Sequence, residues 1–275
     1  MSYTIWLASL EVWIQSLKPN DMEPVNMKPS EIIAKANKDL YEHDYESVVM
    51  LGGRLNRWIY RMTHQELEKF EIGDSRDGIS ILELGAQADQ HRSWVETNYQ
   101  SYIVSDIDLK PLLKSKAIHE KKLSQVNLKV ATNIPDIKFE QINAEQIEYP
   151  DETFDRLIAT CLIVHLVTPI DALYEWRRVT KDGGQINFYV PCEPGFILRI
   201  ARNLTHKRKK LSVDLPYDLL HYSQHRNHFL AIEQFIKYVF PKDNVIRRFF
   251  PFNFLSWEFN LWAVYSIKIN KSNSE

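Results

Sequence analysis

The sequence predicts an α/β fold: a doubly wound, mainly parallel sheet that is covered by helices and closed by an antiparallel hairpin. Through the middle of the chain, short apolar runs alternate with helical segments, which is typical of a parallel sheet with both faces covered. Near the end, the runs Asn244–Phe250 and Leu261–Ile269 are separated only by a loop. Parallel neighbours need a long crossover, so we expect these two strands to pair in the antiparallel sense.

Length and composition indicate one large domain with appended helices. The chain has 275 residues, a net charge of −2 and 44% hydrophobic residues, which suffices for a substantial core. The near-neutral charge argues against a nucleic-acid binder, and no run approaches the roughly 18 apolar residues of a transmembrane span. Cys161 and Cys192 provide no disulfide framework, and the first residues lack the charge pattern of a signal peptide, so we expect a cytoplasmic protein.

Residues 1–78 are predicted to form an N-terminal helical cap, and residues 79–275 the domain that contains the sheet. Apolar side chains within residues 6–17 recur at helical spacing. Three interpretations of this segment stay open: internal packing, a contact between the subunits of a homodimer, and a peripheral contact with a membrane surface. A proline-containing linker follows, and further helices are predicted over 29–40 and 47–70.

The most informative stretch has the pattern of a nucleotide-binding unit. It contains a strand, a tight turn, a helix and a second strand, which are Ser80–Leu84, Gly85, Ala88–Tyr99 and Tyr102–Val104. The second strand is closed by Asp106, 21 residues after Gly85. An acid at about this spacing takes the ribose hydroxyl groups of a nucleotide at the carboxyl ends of the strands. Only one of the usual glycines is present, so this unit alone is weak evidence.

Three more strands and four more helices lie between this unit and the hairpin. The strands are Ile137–Ile142, Arg156–Thr160 and Gln185–Val190, and the helices are about 109–130, Thr168–Val179, Phe196–Leu204 and Leu230–Phe240. The residues Lys181–Gly184 are predicted to form a turn before the fifth strand. About residues 192–241 form a helical insert between the fifth strand and the hairpin.

Four stretches resemble motifs of the class I S-adenosylmethionine-dependent methyltransferases, in the right order and spacing. They are ILELGA (81–86), SDID (105–108), NAEQIEYPDETFD (143–155) and HLVTPIDALYEWRRVTKDGG (165–184). The last two carry the most specific similarity, and the resemblance covers roughly residues 79–191. It implies the Rossmann-like seven-stranded sheet of this family, S-adenosyl-L-methionine as the cofactor, and a methyltransferase of the small-molecule type.

The resemblance also implies which residues bind the cofactor. Glu83 would reach the amino group of its methionine part, and Gly85 would let the backbone approach it. Asp106 would hold the ribose hydroxyls. The border of the adenine and the methionine end of the pocket would be formed by Ala144, Glu145 and Cys161.

Three positions depart from the family pattern. Gln87 and Asp89 stand where glycines are usual, and Asn143 replaces the usual aspartate. An acid at a helix N-terminus suits the helix dipole, but an Asp89 carboxylate that pointed inward would repel the cofactor's carboxylate. These departures keep open a second hypothesis, a methyltransferase-like subunit that serves a partner without catalysis.

Candidate catalytic residues lie mainly in the insert, which in this family commonly shapes the acceptor pocket. Methyl transfer needs a nucleophile in line with the methyl group, and a hydroxyl acceptor benefits from a base such as histidine. His225 and His228 belong to the densest set of titratable residues and would share a helical face with His221. The predicted catalytic residues are His165, His225 and His228, with Glu193 as an alternative base. The alternative that these histidines are solvated or cap helices stays open.

The predicted reaction is O-methylation of a small or carbohydrate-type acceptor. The basic run His206–Lys210 is either a solvated loop or a site that attracts a phosphorylated acceptor. No metal site is predicted, because the sequence has no HExxH motif and no evident carboxylate partner for the histidines. A nicotinamide-dependent oxidoreductase is a third hypothesis, against which the missing glycines and the terminal hairpin count.

Overall fold

The computed structural model describes the sheet domain and parts of the N-terminal region. The described residues are 28, 31, 33–36, 53–70, 78–87, 91–125, 135–206 and 217–272. The predicted helix over 6–17, the departure at Asp89 and the basic residues 207–210 lie outside them. No helix within the described ranges is long and apolar enough to cross a membrane.

Within these ranges the chain alternates strands with helices. Strands β1–β7 are Ile79–Leu84, Tyr99–Asp106, Asp136–Gln141, Phe154–Thr160, Thr180–Pro191, Asn244–Phe250 and Trp262–Lys268. Helices α1–α6 are Gly53–Glu68, Leu109–Gln125, Pro169–Val179, Phe196–His206, Tyr217–Gln224 and Phe229–Val239. Short 3₁₀ turns are Arg92–Trp94, Ile163–His165 and Trp257–Phe259.

The strands form one seven-stranded sheet in the order β3-β2-β1-β4-β5-β7-β6. Strands β1 to β5 are parallel, whereas β7 runs antiparallel to both β5 and β6. The doubly wound sheet and its terminal antiparallel hairpin are therefore confirmed. The strand order reverses between β1 and β4, and sheets of this kind bind ligands in the crevice at the carboxyl ends of the strands around this point.

One predicted helix is wrong. The sequence favoured a helix over Ala88–Tyr99, but the described part of this segment, residues 91–98, contains only the 3₁₀ turn Arg92–Trp94. The His91 N–H donates to the Glu83 carboxylate at 3.2 Å, and the His91 residue is fully buried. Helix propensity is a weak preference, and such contacts with the rest of the protein outweigh it.

The fifth strand is longer than predicted, because the expected turn lies inside it. Strand β5 pairs with β4 at Thr180 and again from Gln185, and the register shifts between these two points. The residues between them, Lys181–Gly184, form the predicted turn as a bulge in a continuous strand, with a φ of 74° at Gly183. The predicted turn is therefore present. The sequence does not reveal that the strand already begins before this turn, at Thr180, and continues after it.

The core lies on both faces of the sheet. On one face, α3 and α6 pack against the central strands around Trp176, which is fully buried. On the other face, α2 packs against β1 and β2 through Leu112, and Leu67 of α1 packs against Tyr189 and Val264 of β5 and β7. Helices thus cover both faces, and the carboxyl ends of the parallel strands form the edge at which loops and the insert meet.

A buried ion pair fastens α1 to the sheet. Arg156 lies inside β4 and is fully buried. Its guanidinium donates to both carboxylate oxygens of Glu68 at 2.8 and 3.2 Å, and its Nε donates to Asn187 Oδ1 at 2.7 Å. Burial opposes ionisation of Glu68, yet the hydrogen bond with His91 and the charge of Arg156 lower the pKa of Glu68 to about 2.

Replacing Glu68 by alanine is expected to lower the free energy of unfolding by about 3–5 kcal/mol, because the Arg156 charge would stay buried without a counter-charge. The matched control is Glu66→Ala on the same helix, whose partner Lys69 is exposed. There we expect a loss below about 1 kcal/mol. Urea unfolding followed by circular dichroism measures both variants, and equal losses would show that the buried pair does not hold α1.

Candidate cofactor and acceptor site

The turn after β1 packs closely against side chains that follow β4 and end β2. Gly85 has a φ of +64°, and a Cβ there would lie 2.8 Å from Leu162 Cδ1. Gln87 also has a positive φ, 46°, which costs a non-glycine residue about 1–2 kcal/mol. The Gln87 N–H donates to Asp106 at 2.8 Å. Gln87 therefore adopts the positive φ that a glycine would have in this turn. Its hydrogen bond to Asp106 at the end of β2 holds the strained residue in place.

Asp106 ends β2 at the edge of the crevice and is only 6% exposed. Its carboxylate accepts the N–H groups of Gln87 and Asp108, each at 2.8 Å. Burial raises the pKa of Asp106, and these backbone hydrogen bonds oppose the shift. A carboxylate has about four acceptor positions, so two hydroxyl groups of a ribose can still be accommodated.

Glu83, predicted to reach the cofactor, is fully buried. One carboxylate oxygen accepts the Tyr102 hydroxyl at 2.6 Å, and the other accepts the His91 N–H at 3.2 Å. These bonds brace β1 against β2 and hold the segment that replaces the expected helix. Since both oxygens bind the protein itself, a contact between Glu83 and the amino group of a cofactor stays a prediction.

Two buried histidines extend the Glu68–Arg156 ion pair into a series of hydrogen-bonded side chains. His91 Nε2 lies 2.8 Å from Glu68 and carries the proton, so its Nδ1 is an acceptor. His64 of α1 places its own Nδ1 2.7 Å from that atom and donates to it. The Nε2 atom of His64 is then a buried acceptor with no hydrogen-bond partner among the described residues. It belongs to a ring packed against Tyr189, near the carboxyl end of β5, where a donor group of a ligand would satisfy it.

The loop after β3 holds the residues expected beside the adenine. Asn143 Oδ1 accepts the Glu145 N–H at 3.0 Å, so asparagine stabilises this turn in place of the usual aspartate. Trp176 Nε1 donates to the Ala144 carbonyl at 3.0 Å, and the Glu145 carboxylate accepts the Thr168 N–H. The loop is thereby fixed to α3 at the same edge as Asp106.

Three titratable side chains converge beyond the end of β4. Cys161 directly follows the strand with a φ of 56°, His165 ends a 3₁₀ turn, and His225 follows α5. The two imidazole rings meet edge to face with centroids 4.8 Å apart. Burial lowers the pKa of each imidazole to about 3 and raises the pKa of the Cys161 thiol to about 12. All three groups are therefore uncharged at neutral pH.

Glu193, the alternative base, lies two residues after β5 and joins the same cluster. His225 Nδ1 is 2.9 and 3.0 Å from its two carboxylate oxygens, and His221 Nε2 is 3.0 Å from Oε1. Arg202 of α4 also donates to Glu193 Oε1. Only 1% of the Glu193 side chain is exposed, so a buried carboxylate connects three segments of the insert.

Backbone hydrogen bonds fix the insert over the end of β4. The N–H groups of Arg226 and Asn227 donate to the Val164 carbonyl at 2.8 and 3.1 Å. The Asn227 side-chain amide donates to the carbonyls of Ile163 and Leu166 at 2.9 and 2.8 Å. These bonds place His225 beside His165. His165 also bonds to the carbonyl of Gln224, which lies 59 residues later in the chain.

The structure separates the three predicted catalytic histidines. It brings His165 and His225 together, whereas His228 is exposed and extended at the start of α6. Helix α5 ends at Gln224, so the shared helical face expected for His221, His225 and His228 does not form.

Sequence reasoning missed the buried residues Glu68, His64 and His91. One signal was available, since Arg156 is a charge inside an apolar strand and a buried charge requires a partner. That signal could not identify the partner, because Glu68 lies 88 residues away along the chain.

Residues 82–188 match the model of a protein family described as a methyltransferase domain. The matched range runs from β1 to β5 and contains Gly85, Asp106 and Cys161. The match agrees with the motifs found in the sequence and with S-adenosylmethionine as methyl donor. No curated protein sequence matches the chain.

Several solved structures share the fold at low sequence identity. A protein from Thermotoga maritima, described as a SAM-dependent methyltransferase and possible histamine N-methyltransferase, is 12% identical with a TM-score of 0.54, covering 86% of this chain and 99% of its own. An S-adenosylmethionine-dependent methyltransferase from Mesorhizobium loti is 13% identical with a TM-score of 0.51, covering 76% and 97%. The cyclase SpnF is 12% identical with a TM-score of 0.54, covering 78% and 82%. This likeness shows the fold alone, and the cyclase shows that the same fold hosts another reaction.

The buried histidines predict that acid destabilises the protein. Burial lowers the pKa of both His64 and His91, so the unfolded chain binds more protons below its ordinary histidine pKa of about 6.5. The free energy of unfolding should therefore fall as the pH drops below about 6.5, with a slope that approaches at most about 1.4 kcal/mol per pH unit for each histidine that stays neutral in the folded protein. Glu68 contributes nothing in this window, because its stabilisation is lost only as the pH falls from about 4.5 toward 2.

The test compares the wild type with His64→Gln in urea unfolding at several pH values. Glutamine can still donate to His91 but does not titrate. Because burial also lowers the pKa of His165 and His225 to about 3, four imidazoles contribute, and the slope of unfolding free energy against pH should fall by about a quarter. An unchanged slope would show that His64 is not held neutral in the folded protein.

Proposed function

We propose that the chain methylates an oxygen atom of a small hydroxylated acceptor with S-adenosylmethionine as donor, and that residues 82–188, which match a methyltransferase domain, bind this donor. The observation that supports this most directly is the position of the polar cluster. Cys161, His165 and His225 lie beyond the end of β4, next to the crevice edge that carries Gly85 and Asp106. A donor bound along the crevice and an acceptor bound under the insert would meet beside Cys161.

The residues of the crevice fit the cofactor. Gly85 has no side chain that could lie between its backbone and a ligand, and Asp106 keeps acceptor positions for two ribose hydroxyls. The unpartnered Nε2 of His64 suits an ammonium group, such as that of the methionine part. Ala144 and Glu145 would border the adenine. When bound, S-adenosylmethionine supplies a methyl group activated by a positively charged sulfur.

On the acceptor side, we assign His165 and His225 to binding and orienting the hydroxyl group. Both rings are held by hydrogen bonds to the protein, so they are preorganised rather than mobile. His228 would contribute only at the exposed rim. The insert covers this edge and would exclude water from the transfer, which protects the activated methyl group.

We further propose that the acceptor is a carbohydrate-type molecule. A carbohydrate-type acceptor agrees with a site that combines buried imidazoles and a carboxylate with aromatic neighbours such as Tyr222. A phosphorylated form rests on the basic run 206–210, whose positive charges would attract it.

Calorimetric titration with S-adenosylmethionine and S-adenosylhomocysteine tests the cofactor site. We expect dissociation constants of about 1–100 µM for the wild type. Asp106→Asn should weaken binding about 10–100-fold, because it removes a charged acceptor while keeping one oxygen for the Gln87 N–H. The matched control is Asp108→Asn two residues later, an exposed acid, for which we expect less than about a threefold change.

The outcomes separate the hypotheses. A folded protein that binds neither ligand would overturn the proposal and favour the partner subunit without catalysis. Binding that Asp106→Asn leaves unchanged would show that the ribose lies elsewhere. Methyl transfer from labelled donor to a panel of hydroxylated, phosphorylated and amine acceptors then tests the atom, and a product methylated only on nitrogen would contradict O-methylation.

A further inference from the structure

The cluster beyond β4 has the composition and spacing of a metal site. Cys161, His165 and His225 each offer a ligand atom, and these atoms lie within 4.8 Å of one another. A tetrahedral zinc ion places the atoms that bind it about 3.3–3.8 Å apart. Side-chain shifts of about 1 Å would therefore complete the site.

The hydrogen bonds of both histidines leave the same ring nitrogen for a metal. His165 Nδ1 lies 3.2 Å from the Gln224 carbonyl oxygen, which can only accept, so this nitrogen carries the proton. His225 Nδ1 lies 2.9 and 3.0 Å from the Glu193 carboxylate and donates in the same way. In each neutral ring Nε2 then has the lone pair. Metal-binding histidines show this arrangement, with the other nitrogen bonded to a carbonyl or carboxylate.

We propose that Cys161, His165 and His225 bind a zinc ion, and that Glu193 holds the His225 ring in the ligating orientation. One thiolate and two imidazoles are ligands that suit Zn²⁺ and do not suit Mg²⁺ or Ca²⁺, which prefer oxygen. The sequence contains no zinc motif because the three ligands come from the end of β4, a 3₁₀ turn and the insert.

A second set of residues competes for the ion. Glu193, His221 and His225 also offer ligand atoms within 4.8 Å of one another. Arg202 donates to the Glu193 carboxylate, however, so a divalent cation at this second position would face the guanidinium group. Glu193 is therefore assigned as the hydrogen-bond acceptor of His225 and not as a ligand.

The charges of the site indicate what its fourth position would take. Zn²⁺ with one thiolate carries a net charge of +1, and the Arg202–Glu193 pair adds none. Three protein ligands leave one tetrahedral position open, and zinc lowers the pKa of a group bound there. This site thus favours the anion of a hydroxyl or thiol.

The role of such an anion rests on the proposed methyl transfer. The acceptor would release its proton to solvent as it binds the zinc ion, and its anion would then form a bond to the methyl carbon. The bond between that carbon and the donor sulfur would break, and its electron pair would stay on sulfur. His165 and His225 would then orient the acceptor through the ion that they hold, in place of binding its hydroxyl group directly.

Cobalt is the probe for this site, because a thiolate ligand gives Co²⁺ an intense charge-transfer band in the near ultraviolet. The full chain, freed of metal with a chelator, should bind one equivalent of Co²⁺ with this band, and Zn²⁺ should displace it. Cys161→Ser should abolish the band, whereas Cys192→Ala should keep it, and the chain has no third cysteine. Glu193→Gln should keep the band with about 10–100-fold weaker binding.

A wild-type protein that binds no cobalt, or a band that survives Cys161→Ser, would overturn the metal site. Thermal melting checks that each variant is folded. If Cys161→Ser unfolds, His225→Gln replaces it and should weaken binding more than about tenfold. Titration with S-adenosylmethionine on the same preparation keeps the two proposals apart, since cobalt binding without cofactor binding would remove methyl transfer and leave the metal site standing.

Discussion

The charge of Arg156 inside β4 is the constraint on which the arrangement around the crevice depends. Removing a guanidinium from water costs several kcal/mol unless a carboxylate comes with it. Glu68 provides that carboxylate from the last turn of α1, so the helix must lie across the sheet with its end over β4. The same carboxylate accepts from His91. One buried acid therefore positions a helix and the segment after β1.

The segment after β1 shows how tertiary contacts replace a sequence motif. A glycine-rich turn usually leads into a helix whose N-terminus faces the cofactor. Here the described residues after the turn form only a 3₁₀ turn, Arg92–Trp94. Glu83 accepts the His91 N–H and the Tyr102 hydroxyl, and Asp106 accepts the Gln87 N–H. The turn is thus stabilised by side chains from β1 and β2, which makes additional glycines less necessary.

The sheet could be predicted from sequence because its signals are local. Apolar runs, the turn at Gly85, the acid at Asp106 and the short loop of the hairpin each lie within a few residues of what they specify. The missing helix over 91–98 could not be predicted, because its composition is helical and only the buried partners of His91 decide against it. The pairing of Glu68 with Arg156 is likewise a property of the folded chain.

The position of the proposed acceptor site could be predicted from the order of the strands, whereas the contacts among its side chains could not. Strands β4 and β5 are neighbours, and Cys161 donates its N–H to Tyr189 of β5, so the residues after both strands must lie close together. The insert returns from β5 to the hairpin across this edge, and it places His225 near both Cys161 and Glu193, and His221 near Glu193. Which histidine reaches which partner depends on Val164, whose carbonyl binds the backbone just after His225. The sheet thus fixes the place of the proposed acceptor site, and the side chains of the insert determine which chemical groups lie there.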